Sequence, residues 1–142
     1  MKKPIESYSA EDFKKHFDKK PKATIKKESE HKIQSDFIKL FRLLYPELLA
    51  FSIPNGGHRH ILTAVKLKKE GQLSGIPDMF IPIANFIHNG LFIEFKAKGG
   101  KLSENQKTVI NKLDSLGYYT VIAYTCDEAL KFVKEYIQNV YE

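Results

Sequence analysis

Residues 91–96 read Leu-Phe-Ile-Glu-Phe-Lys, an apolar run with a carboxylate and an ammonium set inside it, and this stretch restricts the fold most. Apolar and aromatic residues at this density predict a strand. Side chains alternate faces along a strand, so Phe92, Glu94 and Lys96 share one face while Leu91, Ile93 and Phe95 share the other. Glu94 and Lys96 then stand roughly 7 Å apart, at two strand steps. Burying either charge is unfavourable unless it is paired, hydrogen-bonded or bound to a metal. The chain must close a core around this strand and also supply partners for its charges.

Gly75-Ile76-Pro77-Asp78 opens a second apolar strand that runs to Ala84, with Pro82 implying an edge or a bulge because it has no N–H for a ladder. The register between the two strands decides whether Asp78 meets Glu94. Asn89-Gly90 is a strong turn signal, but a regular hairpin closed there would pair Asp78 well past Lys96. A looser tip around Asn85 to His88 brings Asp78 opposite Glu94 or Phe95. From the residues alone two readings stay open: a turn aspartate beside a structural Glu94–Lys96 ion pair, or an acidic cleft that binds a metal.

Elsewhere the periodicity is helical or alternating. Ile33, Phe37, Leu40, Phe41 and Leu44 predict an amphipathic helix from about Ser29 to Tyr45, with Ser29 as N-cap and Pro46 beyond its end. Glu30 lies at the edge of its apolar face, from where it can reach inward. Leu49 to Ile53 reads as a short strand, and Pro54-Asn55-Gly56-Gly57 as a turn. His60 to Glu70 reads as a helix with Ile61, Ala64, Val65 and Lys68 on its inward side and Gly71 as its stop. Ser103 to Leu116 is a helix by the spacing of Val109, Ile110, Leu113 and Leu116, and Ser103-X-X-Gln106 forms a capping box. Tyr118 to Tyr124 is a strand, and about Asp127 to Val140 a last helix through Leu130, Val133, Tyr136 and Ile137. The order α, β, α, β, β, α, β, α predicts an α/β fold, a mixed central β-sheet flanked by helices, with a crossover helix between the last two strands. A chain of 142 residues has room for one such core.

Pro77-Asp78, fifteen residues, then Glu94-X-Lys96 resembles the core of the PD-(D/E)XK nuclease superfamily. Ile53-Pro54-Asn55-Gly56-Gly57 before it, Gly75-Ile76-Pro77-Asp78 at its opening and Gly99-Gly100-Lys101-Leu102-Ser103-Glu104-Asn105-Gln106 after it are similar to the VRR-NUC branch, over roughly residues 28 to 137. The resemblance implies a restriction-endonuclease-like αβββαβ core and a catalytic set of Asp78, Glu94, Lys96, Glu30 and Gln106. Asp78, Glu94 and the Phe95 carbonyl are hard oxygen donors suited to Mg²⁺ or Mn²⁺, and Glu30 matches the first-helix acid that binds or orients the metal through water. Lys96 would position or activate water, or neutralise developing charge. Gln106 matches a family glutamine near the catalytic centre. Small stand-alone members resemble phage-encoded dimeric enzymes acting on branched DNA, including four-way (Holliday) junctions, so the implied partners are DNA and a second copy.

The balance of charge agrees with a polyanionic partner without fixing it: Lys and Arg total 23 against 17 acids, a formal +6. Residues 1–27 read as a basic, partly mobile arm or one short helix carrying Phe13 and Phe17, ahead of a nuclease-like domain at 28–142. Asn55, Gly56, Gly57, Arg59, Lys98, Lys101 and Lys107 are the candidate DNA contacts, with solvated surface residues as their plain alternative. Cys126 is the single cysteine, which excludes an intrachain disulfide and, with no apolar leader or membrane-length stretch, predicts a cytoplasmic protein. The reading is a metal-dependent DNA endonuclease. A non-catalytic nucleic-acid-binding module and a nuclease subunit of a larger restriction or repair assembly are the alternatives.

Overall fold

The computed structural model describes residues 27–55 and 61–141. These form α1 (Glu30–Leu44), β1 (Phe51–Ser52), α2 (Ile61–Lys69), β2 (Met79–Ile81), β3 (Leu91–Phe95), α3 (Glu104–Ser115), β4 (Tyr119–Ala123) and α4 (Cys126–Tyr141). Gly56, Gly57, His58, Arg59 and His60, and the predicted basic arm apart from Lys27, lie outside the described residues. The four strands make one mixed sheet in the order β1-β2-β3-β4, antiparallel as far as β3 and parallel between β3 and β4. An α/β fold with a mixed sheet flanked by helices is therefore what the chain adopts.

β3 is an inner strand covered on both faces, and all five of its residues are buried. Its Leu91, Ile93 and Phe95 face joins Ile33, Phe37 and Phe41 of α1 and Ala129, Val133 and Tyr136 of α4 in the main core. Phe37 is the hinge of this contact, with ring centroids 5.7 Å from Phe41 and 5.5 Å from Phe95. Helical spacing in α1 makes that possible: the side chains at 33, 37 and 41 lie one turn apart on one stripe. Ser29 starts the helix as expected, its hydroxyl accepting the Lys32 N–H at 3.2 Å. On the opposite face Phe92 stacks on Phe80 at 4.4 Å and meets Tyr118 edge-on at 5.5 Å.

The register of β2 on β3 pairs Met79 with Ile93, Phe80 with Phe92 and Ile81 with Leu91. Asp78, one residue before Met79, consequently arrives opposite Glu94, as the looser of the two hairpins requires. Asn85 builds that tip, its Oδ1 accepting the N–H groups of Ile87 at 2.9 Å and His88 at 2.7 Å. Asn89-Gly90 is not the turn. The Asn89 N–H donates to Gly117 O at 2.8 Å and Gly90 O accepts from Tyr119 at 3.0 Å, so the pair belongs to the contact with β4. Glycine is needed at 90 for space, because a Cβ there would stand 2.7 Å from the Phe80 ring.

The α2 helix forms near its expected limits, but its predicted inward side does not exist: none of its residues is buried, and Ile61 and Val65 are 77% and 47% exposed. Only Leu67 and Ala64 are half-buried, and Leu67 lies with Ile53, Ile76 and Phe92 around an open pocket and is not packed into a core. The strands expected at 49–53 and 78–84 likewise shorten to Phe51–Ser52 and Met79–Ile81, the second ending just before Pro82. Among the described residues no helix is long and apolar enough to cross a membrane.

Candidate functional site

At the C-terminal end of β3 the sheet runs out of ladder and side chains take over. The Lys96 N–H donates to Ala123 O of β4 at 3.0 Å, so the Phe95 N–H, one residue back, points the other way, toward β2. β2 has not yet begun at that height. The Asp78 carboxylate fills the acceptor position instead, its Oδ2 taking the Phe95 N–H at 2.9 Å. The Asp78 carbonyl is itself fixed by the Ile53 N–H at 2.8 Å. Asp78 is thereby tied at backbone and side chain to the strands on both sides of it.

After β3 the chain turns through Gly99, at φ 79°, and Gly100, whose N–H bonds Ala97 O at 2.7 Å. This sharp return delivers the N-terminus of α3 to the face of the sheet that carries Glu94. The capping box forms there, with the Ser103 hydroxyl accepting the Gln106 N–H at 3.2 Å and Gln106 Oε1 accepting the Ser103 N–H at 2.9 Å. The other end of the same amide, Nε2, donates to Glu94 Oε1. One side chain thus caps a helix and binds the central carboxylate. From the other direction Glu30, on the first turn of α1, accepts the Ala97 N–H at 3.3 Å.

Glu30, Asn55, Asp78, Glu94, Lys96 and Gln106 line one open cleft of about 370 Å³, together with Ser74, Gly75, Ile76, Ser103 and Asn105. All five residues expected to be catalytic therefore meet in one place. Asn55 joins them, its Nδ2 donating to Ile76 O. Lys98, Lys101 and Lys107 do not: they are exposed, on the turn after β3 and on α3, and Lys107 is 2.7 Å from Glu104. Ser74 and Asn105 carry no site signal that periodicity or spacing could reveal, because they meet only through the tertiary fold.

Burial governs the electrostatics. Glu94 is 1% exposed, and burial pushes its carboxyl above the usual range against the pull of the Lys96 hydrogen bond. Asp78 is also raised by burial, opposed by the Phe95 N–H and the Lys96 charge. Burial of Lys96 alone would lower its ammonium, but the Glu94 hydrogen bond and the charges of Glu94, Glu30 and Asp78 outweigh it and the net shift is upward. Lys96 Nζ lies 2.8 Å from Glu94 Oε1, with the two side chains 11% and 2% exposed. Glu94 Oε1 therefore takes two donors, while Oε2 is buried and has none among the described residues.

That orphaned oxygen is the feature a purely structural ion pair leaves unexplained. An acceptor buried without a partner is destabilising by about 1–3 kcal/mol, more when charged, and a divalent cation would satisfy it. Asp78 and Glu94, facing each other across the hairpin, are hard donors of the kind Mg²⁺ and Mn²⁺ take. No group of three His, Cys, Asp or Glu side chains among the described residues is arranged to hold one ion. Two facing carboxylates, one with a buried oxygen that has no partner among the described residues, fit such an ion, with water completing its shell.

Comparison with known proteins places this cleft in context. A family model described as "VRR-NUC domain" matches residues 20–126. Among solved structures, one described as a VRR_NUC domain protein is 26% identical and superposes with a TM-score of 0.68, covering 80% of this chain and 91% of that one. The curated proteins give no match.

Proposed function

The chain belongs to the VRR-NUC domain family, and from that premise we propose that it is a Mg²⁺- or Mn²⁺-dependent endonuclease that hydrolyses DNA phosphodiester bonds. The observation that carries the metal-dependent reading is Glu94 Oε2, a buried carboxylate oxygen with no partner among the described residues, on a side chain that lines the cleft. Asp78, Glu94 and the Phe95 carbonyl hold the ion in this reading, and Glu30 orients it through water. A divalent ion so bound supplies Lewis-acid polarisation of the phosphate and lowers the pKa of the attacking water.

The protein's own groups do the rest. Lys96, fixed by Glu94, presents an ammonium to the reacting phosphate, where it orients water and offsets the charge that develops in the transition state. Gln106 holds Glu94 in one rotamer through Oε1. The α3 N-terminus beside it favours an anion such as a phosphate. Asn55, Gly56, Gly57, Arg59, Lys98, Lys101 and Lys107 are proposed to bind the DNA backbone, which fixes position without reading sequence. Residues 1–27 act as a basic arm to the nuclease domain at 28–142. The substrate is branched DNA such as a four-way junction, cut by a homodimer in the cytoplasm.

A non-catalytic binding module is the rival reading, and the Lys96–Glu94 ion pair is the observation in its favour. Labelled linear, flap, fork and four-way-junction DNA incubated with Mg²⁺ or Mn²⁺, with an EDTA control, separates the two. Metal-dependent product that is greatest on the branched substrates is expected. Binding without product on any of them would leave the module reading standing.

A further inference from the structure

The first turn of α3 touches both halves of the cleft through two consecutive residues. Gln106 reaches Glu94 on β3. Asn105, just before it, turns to the segment that leads into Asp78, its Nδ2 donating to Ser74 O at 3.0 Å and Ser74 Oγ at 2.7 Å. The two segments are close along the backbone as well. Gly75 has φ 87°, and a Cβ on it would meet the Asn105 carbonyl carbon and oxygen at 3.0 Å. Three residues beyond Gly75 stands Asp78. Between them Ile76 O is held by Asn55 Nδ2, so the approach to Asp78 is pinned on two sides.

We propose that Asn105 is a positioning residue that sets the separation of Asp78 from Glu94, by clamping the Ser74–Gly75 turn to the helix whose next residue holds Glu94. The proposal rests on the nuclease reading for its consequence, though not for its geometry. Hydrogen-bonded neighbours that orient metal-binding carboxylates change affinity or activity by about 10–100-fold when removed. A displacement of about 1 Å at a reacting centre has an effect of similar size. Asn105 acts through the turn and Asp78, and touches neither the reacting phosphate nor an ion.

The test uses the full chain carrying Asn105→Ala, Asn105→Asp, Ser74→Ala or Gly75→Ala. Asn105→Asp keeps the shape but turns a donor into a carboxylate facing two oxygens. Ser74→Ala removes only the hydroxyl and leaves the carbonyl bond, so its effect should not exceed about five-fold, the worth of one neutral hydrogen bond. Gly75→Ala moves the same turn from its other side. Three quantities are read: exchange of the Phe95 amide, whose acceptor is Asp78 Oδ2; Mn²⁺ affinity by calorimetry; and single-turnover cleavage across DNA concentrations.

Both Asn105 variants and Gly75→Ala are expected to speed Phe95 exchange about ten-fold relative to Ile93, to weaken Mn²⁺ binding about ten-fold, and to cut the saturated cleavage rate about 10–100-fold. The DNA concentration at half-saturation should stay within about two-fold, since every group that binds a phosphate stays in place. Unchanged Phe95 exchange would overturn the proposal. So would a shift in half-saturation alone, which would make Asn105 a DNA-binding residue, or equal loss of protection along all of β3, which would make it structural. If the wild-type chain cuts no DNA, the nuclease reading fails, while the exchange and Mn²⁺ measurements still decide what Asn105 does.

Discussion

Glu94 divides its two oxygens between opposite fates, one held by Lys96 and Gln106 and the other buried with no partner among the described residues. Together with Asp78 it concentrates negative charge where burial disfavours it, which makes the cleft a place where stability is given up. The sign follows from the raised carboxyls. A carboxyl whose folded pKa exceeds its unfolded one holds its proton longer in the folded state, so the stability it contributes is complete at low pH and is lost as pH rises through the raised value. Asp78→Asn removes that penalty while its Oδ1 can still accept the Phe95 N–H. We expect it to raise the metal-free thermal midpoint at neutral pH by about 2–4 °C, and to abolish both the Mn²⁺ titration heat and cleavage. A lowered midpoint would mean that the charge of Asp78 is structural. In the wild type Mn²⁺ affinity should tighten as pH rises through the raised carboxyls, because binding displaces protons; affinity that does not change with pH would contradict it. Lys96→Met keeps the aliphatic stem and removes the ammonium. It should cut the cleavage rate by about 10²-fold or more without weakening Mn²⁺ binding, since ammonium and ion are rival partners for Glu94. Weakened metal binding there would make Lys96 a structural partner only.

At the level of elements, the capping box tests which of its two tasks Gln106 owes to the helix and which to the cleft. Ser103→Ala removes the hydroxyl that accepts the Gln106 N–H and should destabilise by about 1 kcal/mol, or about 3 °C in midpoint. It leaves the Gln106 side chain on Glu94, so the cleavage rate should be nearly unchanged. Gln106→Ala should lower both, and equal effects of the two variants on rate would show that the cap alone matters. Calorimetry and single-turnover cleavage distinguish the outcomes. That such a box stands at Ser103 was legible from two residues three apart, as was α1 from five apolar residues and an N-cap. Both are local patterns in which spacing on one helix dictates the contact. Glu94 and Lys96 were legible for a different reason, since charge inside an apolar strand must be answered somewhere. The β2–β3 register was less so: Asn89-Gly90 has the chemistry of a turn, yet its glycine is there to admit the Phe80 ring, and only the tertiary fold says which. The α2 helix was misjudged because apolar spacing shows which side of a helix could be buried and not whether a sheet surface lies opposite. The Asn105–Ser74 clamp spans 31 residues, and nothing local in either segment announces it.

Across the whole molecule the formal charge is +6, and two groups among the basic residues have different expected tasks. Lys98 and Lys101 follow directly on the strand that bears Glu94 and Lys96, and they are exposed. Lys2, Lys3, Lys14, Lys15 and Lys19 come before residue 20, where the match to the VRR-NUC family begins. We expect residues 1–19, which lie outside that match, to contribute to binding and not to the chemistry. Removing one lysine that neutralises a phosphate of duplex DNA should reduce the slope of log K against log salt by about 0.9. A chain lacking residues 1–19 should therefore bind DNA more weakly at low salt and with a shallower slope, while its cleavage rate at saturating DNA stays within about two-fold because no cleft residue is removed. Lys98→Ala with Lys101→Ala, beside the cleft, should flatten the slope and also slow the saturated rate, since a phosphate held next to the reacting one helps align it. Fluorescence anisotropy at several salt concentrations, run beside single-turnover cleavage, separates the two sets. An unchanged slope in the truncated chain would show that the first nineteen residues do not touch DNA. A saturated rate that collapsed with the truncation would instead make them part of the catalytic unit, and the family boundary at residue 20 would not be a functional one.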